Sequence, residues 1–240
     1  PAMHVPGPGS PGPAAPLAGL LPPGARYATV DGLAPIPPLM RSEATFVERA
    51  VPKRREEFAR GRAAARVALG ELGLPPVPIH VGRERQPLWP PGIVGSITHC
   101  AELAWAVVAP AEGVTAIGVD VEPDRSLPED VRLRVLDPTE ALAVEEAVGR
   151  DTVGFGVKEC VHKAIHPATG VWLDFHDVRV VPEPGEGALR ALRVEPSHPA
   201  LPESVLRLLA GLQIRWMAHG GLVFTSAWVL PAPGVAPRKA

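Results

Sequence analysis

The stretch FGVKECVHKA, residues 155 to 164, contains two lysines in a chain that otherwise uses arginine for almost all of its positive charge. Of the 24 lysines and arginines in the 240 residues, only four are lysines, and Lys158 and Lys163 both lie here, on either side of Glu159. The stretch predicts a helix, on which Glu159 and Lys163, four residues apart, share one face. A surface ion pair of this kind stabilises a helix by about 0.2–0.5 kcal/mol. The apolar residues around Lys163 favour instead a lysine with a functional role. The stretch alone does not decide between a surface ion pair and a functional lysine.

Working outward, the segment AIGVDVEP, residues 116 to 123, predicts a strand that carries two further carboxylates. Since side chains alternate along a strand, Asp120 and Glu122 lie on one face and the neighbouring valines on the other. Gly118 would keep the approach to these carboxylates open. Convergent carboxylate oxygens suit a hard cation, most naturally Mg²⁺. The simpler alternative is an ordinary half-exposed strand.

Two other segments are candidates for phosphate binding. GSITHC, residues 95 to 100, follows a glycine-rich turn and contributes Ser96, Thr98 and His99, which can hold a phosphate with the help of backbone N–H groups. In the predicted helix 53–73, arginines recur on one stripe at positions 55, 62 and 66. Such a stripe is either a solvated face or a phosphate clamp, and a lone histidine is more often structural.

The remaining pattern predicts alternating helices and strands. Further helices are expected over 138–149 and over 152–166, the second ending at Pro167. Strands are expected near residue 80 and in LAWAVVAP (103–110), VWLDFHDVRVV (171–181) and LRALRVEP (189–196). Residues 212–230 predict a hairpin that turns at Gly220 and Gly221. A helix followed by strands occurs in each half, which suggests two α+β lobes of similar order.

Composition restricts the class of protein. A net charge of −2 and a pI near 6.5 argue against a nucleic-acid-binding protein. No apolar run approaches the roughly 18 residues of a membrane helix, and the first residues do not resemble a signal peptide. Two cysteines, at positions 100 and 160, favour reduced thiols in the cytoplasm. Residues 1–16 are almost entirely proline, glycine, alanine and serine and are expected to form a flexible tail.

Taken in order, these segments resemble one family. The chain has an arginine-rich helix containing GR, then G-x-x-R-x-P, GS-x-TH, G-x-D-x-E and F-x-x-KE-x-x-x-KA, between about residues 54 and 175. This order resembles the 4′-phosphopantetheinyl transferases, in particular the larger, monomeric type that includes the Sfp-like and enterobactin-synthase-associated enzymes. Any one of these motifs alone would be unspecific.

The resemblance implies an α+β fold of two similar lobes, related by a pseudo-twofold axis, with the active-site cleft between them. We place the lobes at residues 17–115 and 116–240. It also implies a reaction that moves the phosphopantetheine arm of coenzyme A to a serine of an apo carrier protein and releases 3′,5′-ADP. Mg²⁺ would be the cofactor, and the carriers would belong to peptide, polyketide or fatty-acid synthases.

The resemblance also implies a role for each matching residue. Asp120, Glu122 and Glu159 match the metal-binding acids, and Glu159 matches the acid that helps to deprotonate the serine. Lys158 and Lys163 match lysines near the pyrophosphate. The remaining coenzyme A contacts would be Arg54, Arg62, Arg85, Gln86, Pro87, Thr98 and His99. Lysine at position 163 is expected for a chemical reason. A compact ammonium can follow the leaving phosphate and give up a proton to it, whereas arginine holds its proton too tightly for that transfer.

The chain departs from the family pattern at two points, and other functions are open. Gly156-Val157 stands where the family often has Ser-Ala, and His162 stands where it often has an aromatic residue. One alternative is a non-catalytic module that binds coenzyme A or carrier proteins. A second is a metal-dependent pyrophosphohydrolase, for which residues 140–146 supply glutamates but lack a glycine-rich frame. A third is a Cys–His nucleophile.

Overall fold

The computed structural model describes residues 16–101, 103–183, 190–198 and 200–232. Within them the fold is α+β, as the sequence predicts. The helices are α1 (Arg41–Ala44), α2 (Pro52–Glu71), α3 (Glu129–Val135), α4 (Pro138–Val148), α5 (Asp151–Thr169) and α6 (Glu203–Ala210). The strands are β1 (Arg26–Asp31), β2 (His80–Val81), β3 (Pro87–Leu88), β4 (Ile93–His99), β5 (Leu103–Pro110), β6 (Ala116–Pro123), β7 (Val178–Pro182), β8 (Arg190–Pro196), β9 (Leu212–His219) and β10 (Leu222–Val229).

The N-terminal half is a three-stranded antiparallel sheet, in the order β1-β5-β4, covered by helix α2. Proline at the first position of α2 has no N–H to lose, so it starts the helix without cost. Small residues on the buried face of α2 let the helix approach the sheet closely. At Gly61, an added Cβ would lie 2.8 Å from Ile97 Cγ2. The helix therefore packs directly against β4, one of the strands that carry the predicted phosphate-binding residues.

The C-terminal half is a five-stranded antiparallel sheet, in the order β6-β10-β9-β8-β7, with α5 lying across β6 and β10. The hairpin turn predicted at Gly220 and Gly221 is confirmed, and both residues have positive φ (61° and 77°), as a tight two-residue turn requires. At Gly118, an added Cβ would lie 1.9 Å from the carbonyl oxygen of Cys160. This glycine therefore serves the packing of α5 against β6, and not merely access to the carboxylates.

The two sheets meet side by side where β4 runs along β6. The backbone N–H of Val119 donates to Ser96 Oγ at 3.1 Å across this junction. A shared apolar core, which includes Trp105 of β5 and Trp228 of β10, lies behind it. The candidate residues of the two halves therefore face a common region.

Some predicted elements differ from the structure. Helix α5 continues through Pro167 to Thr169, because a proline in the last turn costs only one hydrogen bond and Gly170 ends the helix with φ of 71°. The strand predicted over 171–181 is confined to β7, since Asp174 caps a 3-10 turn over Phe175–Asp177. The sequence patterns missed the helices α1, α3 and α6 and the strands β1, β3 and β4.

The predicted tail, residues 1–16, lies outside the described residues apart from Pro16, which begins a 3-10 turn ending at Leu20. In the described part of the chain, no helix combines the length and the apolar character that crossing a membrane requires.

Candidate active site

Three carboxylates converge where α5 crosses β6. Asp120 and Glu122 lie on one face of β6, and Glu159 projects from the first half of α5. Burial raises the pKa of Glu122 to about 7, and the neighbouring Asp120 contributes to this shift. Burial likewise raises the pKa of Glu159, and Asp120 adds to it. The negative charges are therefore crowded, and a cation at this place would be stabilised.

Lys163 is the positive charge within this cluster. Its Nζ lies 2.6 Å from Asp120 Oδ1 and 3.7 Å from Glu159 Oε2, while its side chain is 26% exposed. Burial alone would lower the pKa of Lys163, but Asp120 and Glu159 outweigh it, so the pKa is raised. Thr98 Oγ1 donates to the same Asp120 oxygen at 2.8 Å and fixes its position from β4. The predicted sharing of one helix face by Glu159 and Lys163 is confirmed.

The site also has features of a metal site. Asp120 Oδ2 is buried and has no hydrogen-bond partner among the described residues. As placed in the structure, no group of three Asp, Glu, His or Cys side chains among the described residues could hold a metal ion by itself. Mg²⁺ is usually held by one or two carboxylates together with substrate phosphates and waters, and not by an all-protein cage. The donors at Asp120, Glu122 and Glu159 fit that kind of shared coordination.

A basic cavity of about 360 Å³ opens beside β4. Arg54 Nη1 donates to His99 Nε2 at 3.1 Å at its edge. Arg62 is buried in its wall, donates from Nε to the Ile79 carbonyl at 2.8 Å and stacks its guanidinium 4.1 Å from the centre of the Phe58 ring. Burial lowers the pKa of Arg62 to about 10, so the group stays charged at neutral pH. This part of the arginine stripe is therefore not a solvated face.

A second cavity, of about 470 Å³, adjoins the first and includes Lys163 in its wall. Both cavities share Arg85, Pro87 and Ile97 as lining residues. One side of the second cavity is aromatic, because the His162 and His166 rings stack at 5.3 Å and the largely exposed Trp172 meets both.

The loop between β2 and β3 forms the shared wall of the two cavities. Arg85 adopts a positive φ of 66°, the only such residue other than glycine in the described chain. The Gln86 carbonyl accepts from the Gly82 N–H at 2.8 Å, and Gln86 Oε1 accepts from the Glu84 N–H at 3.0 Å. In this structure, Gln86 thus uses its side-chain oxygen to hold the loop in place.

Lys158 does not join this site, which corrects its assignment to the pyrophosphate. Its side chain is 1% exposed, and its ammonium donates to the carbonyls of Val135 (2.8 Å) and Phe175 (2.7 Å) and to Glu140 Oε2 (2.8 Å). All three ammonium protons therefore have acceptors that lie away from Asp120. Lys158 ties α5 to α3, α4 and the turn before β7.

Two residues near the predicted sites, Glu140 and Glu57, were not predicted individually from the sequence. Glu140 is buried and also accepts from the Val180 N–H, so it is a structural partner and not a metal ligand of a pyrophosphohydrolase. Only the fold reveals this pairing. Glu57 lines the basic cavity beside Arg54 and His99. Its three-residue spacing from Arg54 on a helix was the available signal.

Cys160 is not a nucleophile in this structure. Its thiol is fully buried and lies 3.1 Å from Thr225 Oγ1. Burial raises the pKa of this thiol well above its usual range, which suppresses the reactive thiolate. The Cys–His alternative is therefore wrong for Cys160.

Comparison with known families gives two matches that together cover both halves. The 4′-phosphopantetheinyl transferase N-terminal domain matches residues 42–109, and the 4′-phosphopantetheinyl transferase superfamily matches residues 116–206. The second match contains all three carboxylates of the cluster, and the first contains the basic cavity's Arg54, Arg62 and His99.

Similar proteins include two that match over most of their length. The chain is 40% identical to 4′-phosphopantetheinyl transferase Svp of Streptomyces mobaraensis, over 86% of this chain and 85% of that protein. It is 37% identical to 4′-phosphopantetheinyl transferase PptT of Mycobacterium tuberculosis, over 83% and 88%. Enterobactin synthase component D of Salmonella typhimurium is 38% identical over 47% of this chain and 48% of its own. The chain therefore belongs to the 4′-phosphopantetheinyl transferase superfamily, and it is a transferase of the phosphopantetheine group.

Proposed function

We propose that the carboxylate cluster and the two adjoining cavities form one active site, which moves the phosphopantetheine arm of coenzyme A to a serine of an apo carrier protein and releases 3′,5′-ADP. One observation carries this proposal. Lys163 contacts Asp120 and Glu159 and at the same time lines the second cavity, so the acidic cluster opens into the ligand-sized space. A phosphate ester bound there would meet both the acids and the ammonium.

The cavities account for the two ends of coenzyme A. The first has Arg54, Arg62 and His99 in its wall, and guanidinium and imidazole groups are good partners for phosphate oxygens. The second has an aromatic side, formed by His162, His166 and Trp172, and that side suits the uncharged pantetheine arm. Arg85 and Pro87 line both, so one elongated ligand can pass from one to the other along the loop that Gln86 holds.

Asp120, Glu122 and Glu159 would hold Mg²⁺. The ion, when bound, would neutralise the pyrophosphate and so lower the cost of approach by an alcohol. The unpartnered Oδ2 of Asp120 is the observation on this chain that supports the assignment. Thr98 supports it from β4, because its hydroxyl fixes the other oxygen of the same carboxylate.

Glu159 and Lys163 would take the two proton-transfer and charge-stabilising roles. A serine hydroxyl becomes a competent nucleophile only when a base within hydrogen-bond reach removes its proton. The raised pKa of Glu159 makes it a stronger base than an exposed glutamate, because burial disfavours its ionised form. Lys163 would stabilise the negative charge that develops on the departing phosphate, as a mobile point charge near the reacting centre.

The larger-scale assignments are part of the same proposal. Lobes at residues 17–115 and 116–240, related by a pseudo-twofold axis, are supported by a 20-residue helix on one sheet and a 19-residue helix on the other. The family matches also end at residue 109 and resume at residue 116. We further propose a cytoplasmic monomer, as the resemblance to the larger, monomeric type implies.

Carrier proteins or domains of peptide, polyketide or fatty-acid synthases are the proposed acceptors. The name of one relative, enterobactin synthase component D, supports a role in secondary metabolism. The alternative that retains the fold is a non-catalytic module that binds coenzyme A or carriers. The crowded acids argue against it, because binding alone does not require one buried and two half-buried carboxylates to be held close together.

The test is the intact mass of an apo carrier protein after incubation with this protein, coenzyme A and Mg²⁺. We expect the mass of one phosphopantetheine to be added by the wild type and by Glu146→Gln, a matched change at an exposed acid of α4, and not by Asp120→Asn. Tight coenzyme A binding with no mass gain on several unrelated carriers would favour the binding module. Coenzyme A consumed without any gain in carrier mass would favour a pyrophosphohydrolase.

A further inference from the structure

Glu57 is a negative charge in a cavity whose other charged groups suit an anion. Its carboxylate lies 3.7 Å from Arg54 Nη1 and 3.9 Å from His99 Nε2, and it reaches Lys53 at 4.0 Å. The side chain is 23% exposed, so part of this interaction is protected from water. A carboxylate here would repel a phosphate if it acted alone, which calls for a physical reason for its position.

The geometry supplies that reason. Arg54 and His99 belong to α2 and β4, two elements that are distant in sequence, and their side chains touch at 3.1 Å. Arg54 is about half exposed, so without a partner its long side chain would sample many rotamers. Glu57 is one helical turn from Arg54 and faces both groups at once. It therefore holds the guanidinium beside the imidazole before any ligand arrives.

We propose that Glu57 is a positioning residue, which holds Arg54 and His99 together as a preformed phosphate-binding pair for coenzyme A. This inference rests on the proposed function only for the identity of the ligand. The arrangement within the protein can be tested without the ligand.

The effect of Glu57 on His99 can be measured through the pKa of the His99 ring. Burial lowers the pKa of His99, and Glu57 is the main group that opposes this shift. The other charged groups that face it are Arg54 from α2 and Lys163 from α5, which lower the pKa, and Asp120 from β6, which raises it. Removing the charge of Glu57 should therefore lower the pKa of His99 further, whereas a carboxylate that packs on α2 without facing His99 would leave that pKa unchanged.

The experiment compares Glu57→Gln with Glu56→Gln, a matched change at the preceding residue, which pairs with Arg60 and lies outside the basic cavity. The first readout is the pH titration of the His99 ring by NMR in the ligand-free protein. The second is coenzyme A affinity by calorimetry. For Glu57→Gln we expect a lower pKa of His99 and affinity weaker by about fivefold, the upper range of a partly exposed ion pair. Glu56→Gln should change neither.

An unchanged pKa of His99 in Glu57→Gln, or equal or tighter coenzyme A binding, would overturn the proposal. Equal effects in the two variants would also overturn it, because they would indicate a general effect on helix α2. If the wild-type protein did not bind coenzyme A at all, the proposed function would fail, and the NMR titration would still decide whether Glu57 acts on His99.

Discussion

The Lys163 ammonium lies 2.6 Å from Asp120 Oδ1, and the Thr98 hydroxyl donates to that same oxygen at 2.8 Å. This contact joins α5 of one half to β6 and, through Thr98, to β4 of the other. The second oxygen of Asp120 is left without a protein partner among the described residues. One buried carboxylate thus organises the lysine, the proposed metal site and the junction of the two sheets.

The chemical role of Lys163 can be separated from its charge. In Lys163→Arg the positive charge is kept, but a planar guanidinium replaces the compact ammonium in contact with Asp120. We expect kcat for transfer to fall by at least about tenfold, toward the roughly 10²–10³ that the loss of one preorganised charge-stabilising donor costs. Coenzyme A affinity should change less than kcat. Full turnover in Lys163→Arg would show that fixed charge is sufficient.

The buried pair of Lys158 and Glu140 is expected to act on stability. Lys158→Met leaves the Glu140 carboxylate buried without its cation, which costs about 3–5 kcal/mol for a pair of this kind. The free energy of unfolding from urea denaturation measures this cost. The double variant with Glu140→Leu should recover part of it, because no uncompensated charge is left.

The same variant tests where Lys158 acts. Coenzyme A affinity of the folded Lys158→Met protein should equal that of the wild type, measured at a temperature where the variant is folded. A loss of affinity without a loss of stability would restore the assignment of Lys158 to the pyrophosphate.

Gly118 should tolerate no side chain. A Cβ in Gly118→Ala would meet the carbonyl oxygen of Cys160 at 1.9 Å, so α5 must move away from β6. We expect the free energy of unfolding to fall by about 3 kcal/mol or more, which is at the upper end of overpacking effects, and transfer activity to be lost. The matched control is Gly70→Ala in α2, where an added Cβ meets nothing within 4 Å. That change should stabilise the protein by about 0.5–1 kcal/mol. Similar melting temperatures for the two variants would contradict the close contact.

His162 should make stability depend on pH in the mildly acidic range. Burial lowers the pKa of His162 below its usual 6.5, so the unfolded chain binds more protons there than the folded one. Its contribution is present above pH 6.5 and is lost as the pH falls below that value. We expect His162→Gln to reduce the fall in melting temperature between pH 7.5 and pH 5. His176→Gln, at an exposed position, should leave that fall unchanged, and equal curves for His162→Gln and the wild type would refute the assignment.

The spacing of residues along the chain was sufficient to predict several helices and strands and the acidic residues and lysine of the candidate active site. The four-residue interval between Glu159 and Lys163 and the two-residue interval between Asp120 and Glu122 set which side chains share a face. Consecutive glycines between alternating apolar residues set the hairpin of β9 and β10. These features depend on backbone periodicity, which is the same in every fold.

Other features of the fold depend on contacts between residues that are distant in the sequence. Lys158 and Glu159 are adjacent in the chain, yet their side chains have different surroundings. The Lys158 ammonium donates to Glu140 and to the carbonyls of Val135 and Phe175, and no local sequence pattern predicts these partners. Helix α5 continues past its proline because a proline in the last turn removes only one hydrogen bond and the helix ends at Gly170.

The sequence by itself determined the order of the motifs, and with it the family, because those residues recur in one order along one chain. It also determined the periodicity that places Glu159 with Lys163 and Asp120 with Glu122. Only the tertiary structure decided which cations face the carboxylate cluster, that Arg62 is buried in a cavity wall, and that Glu57 lies beside both Arg54 and His99. The physical reason is that charge pairing in a folded chain follows burial, and burial is set by contacts between distant segments.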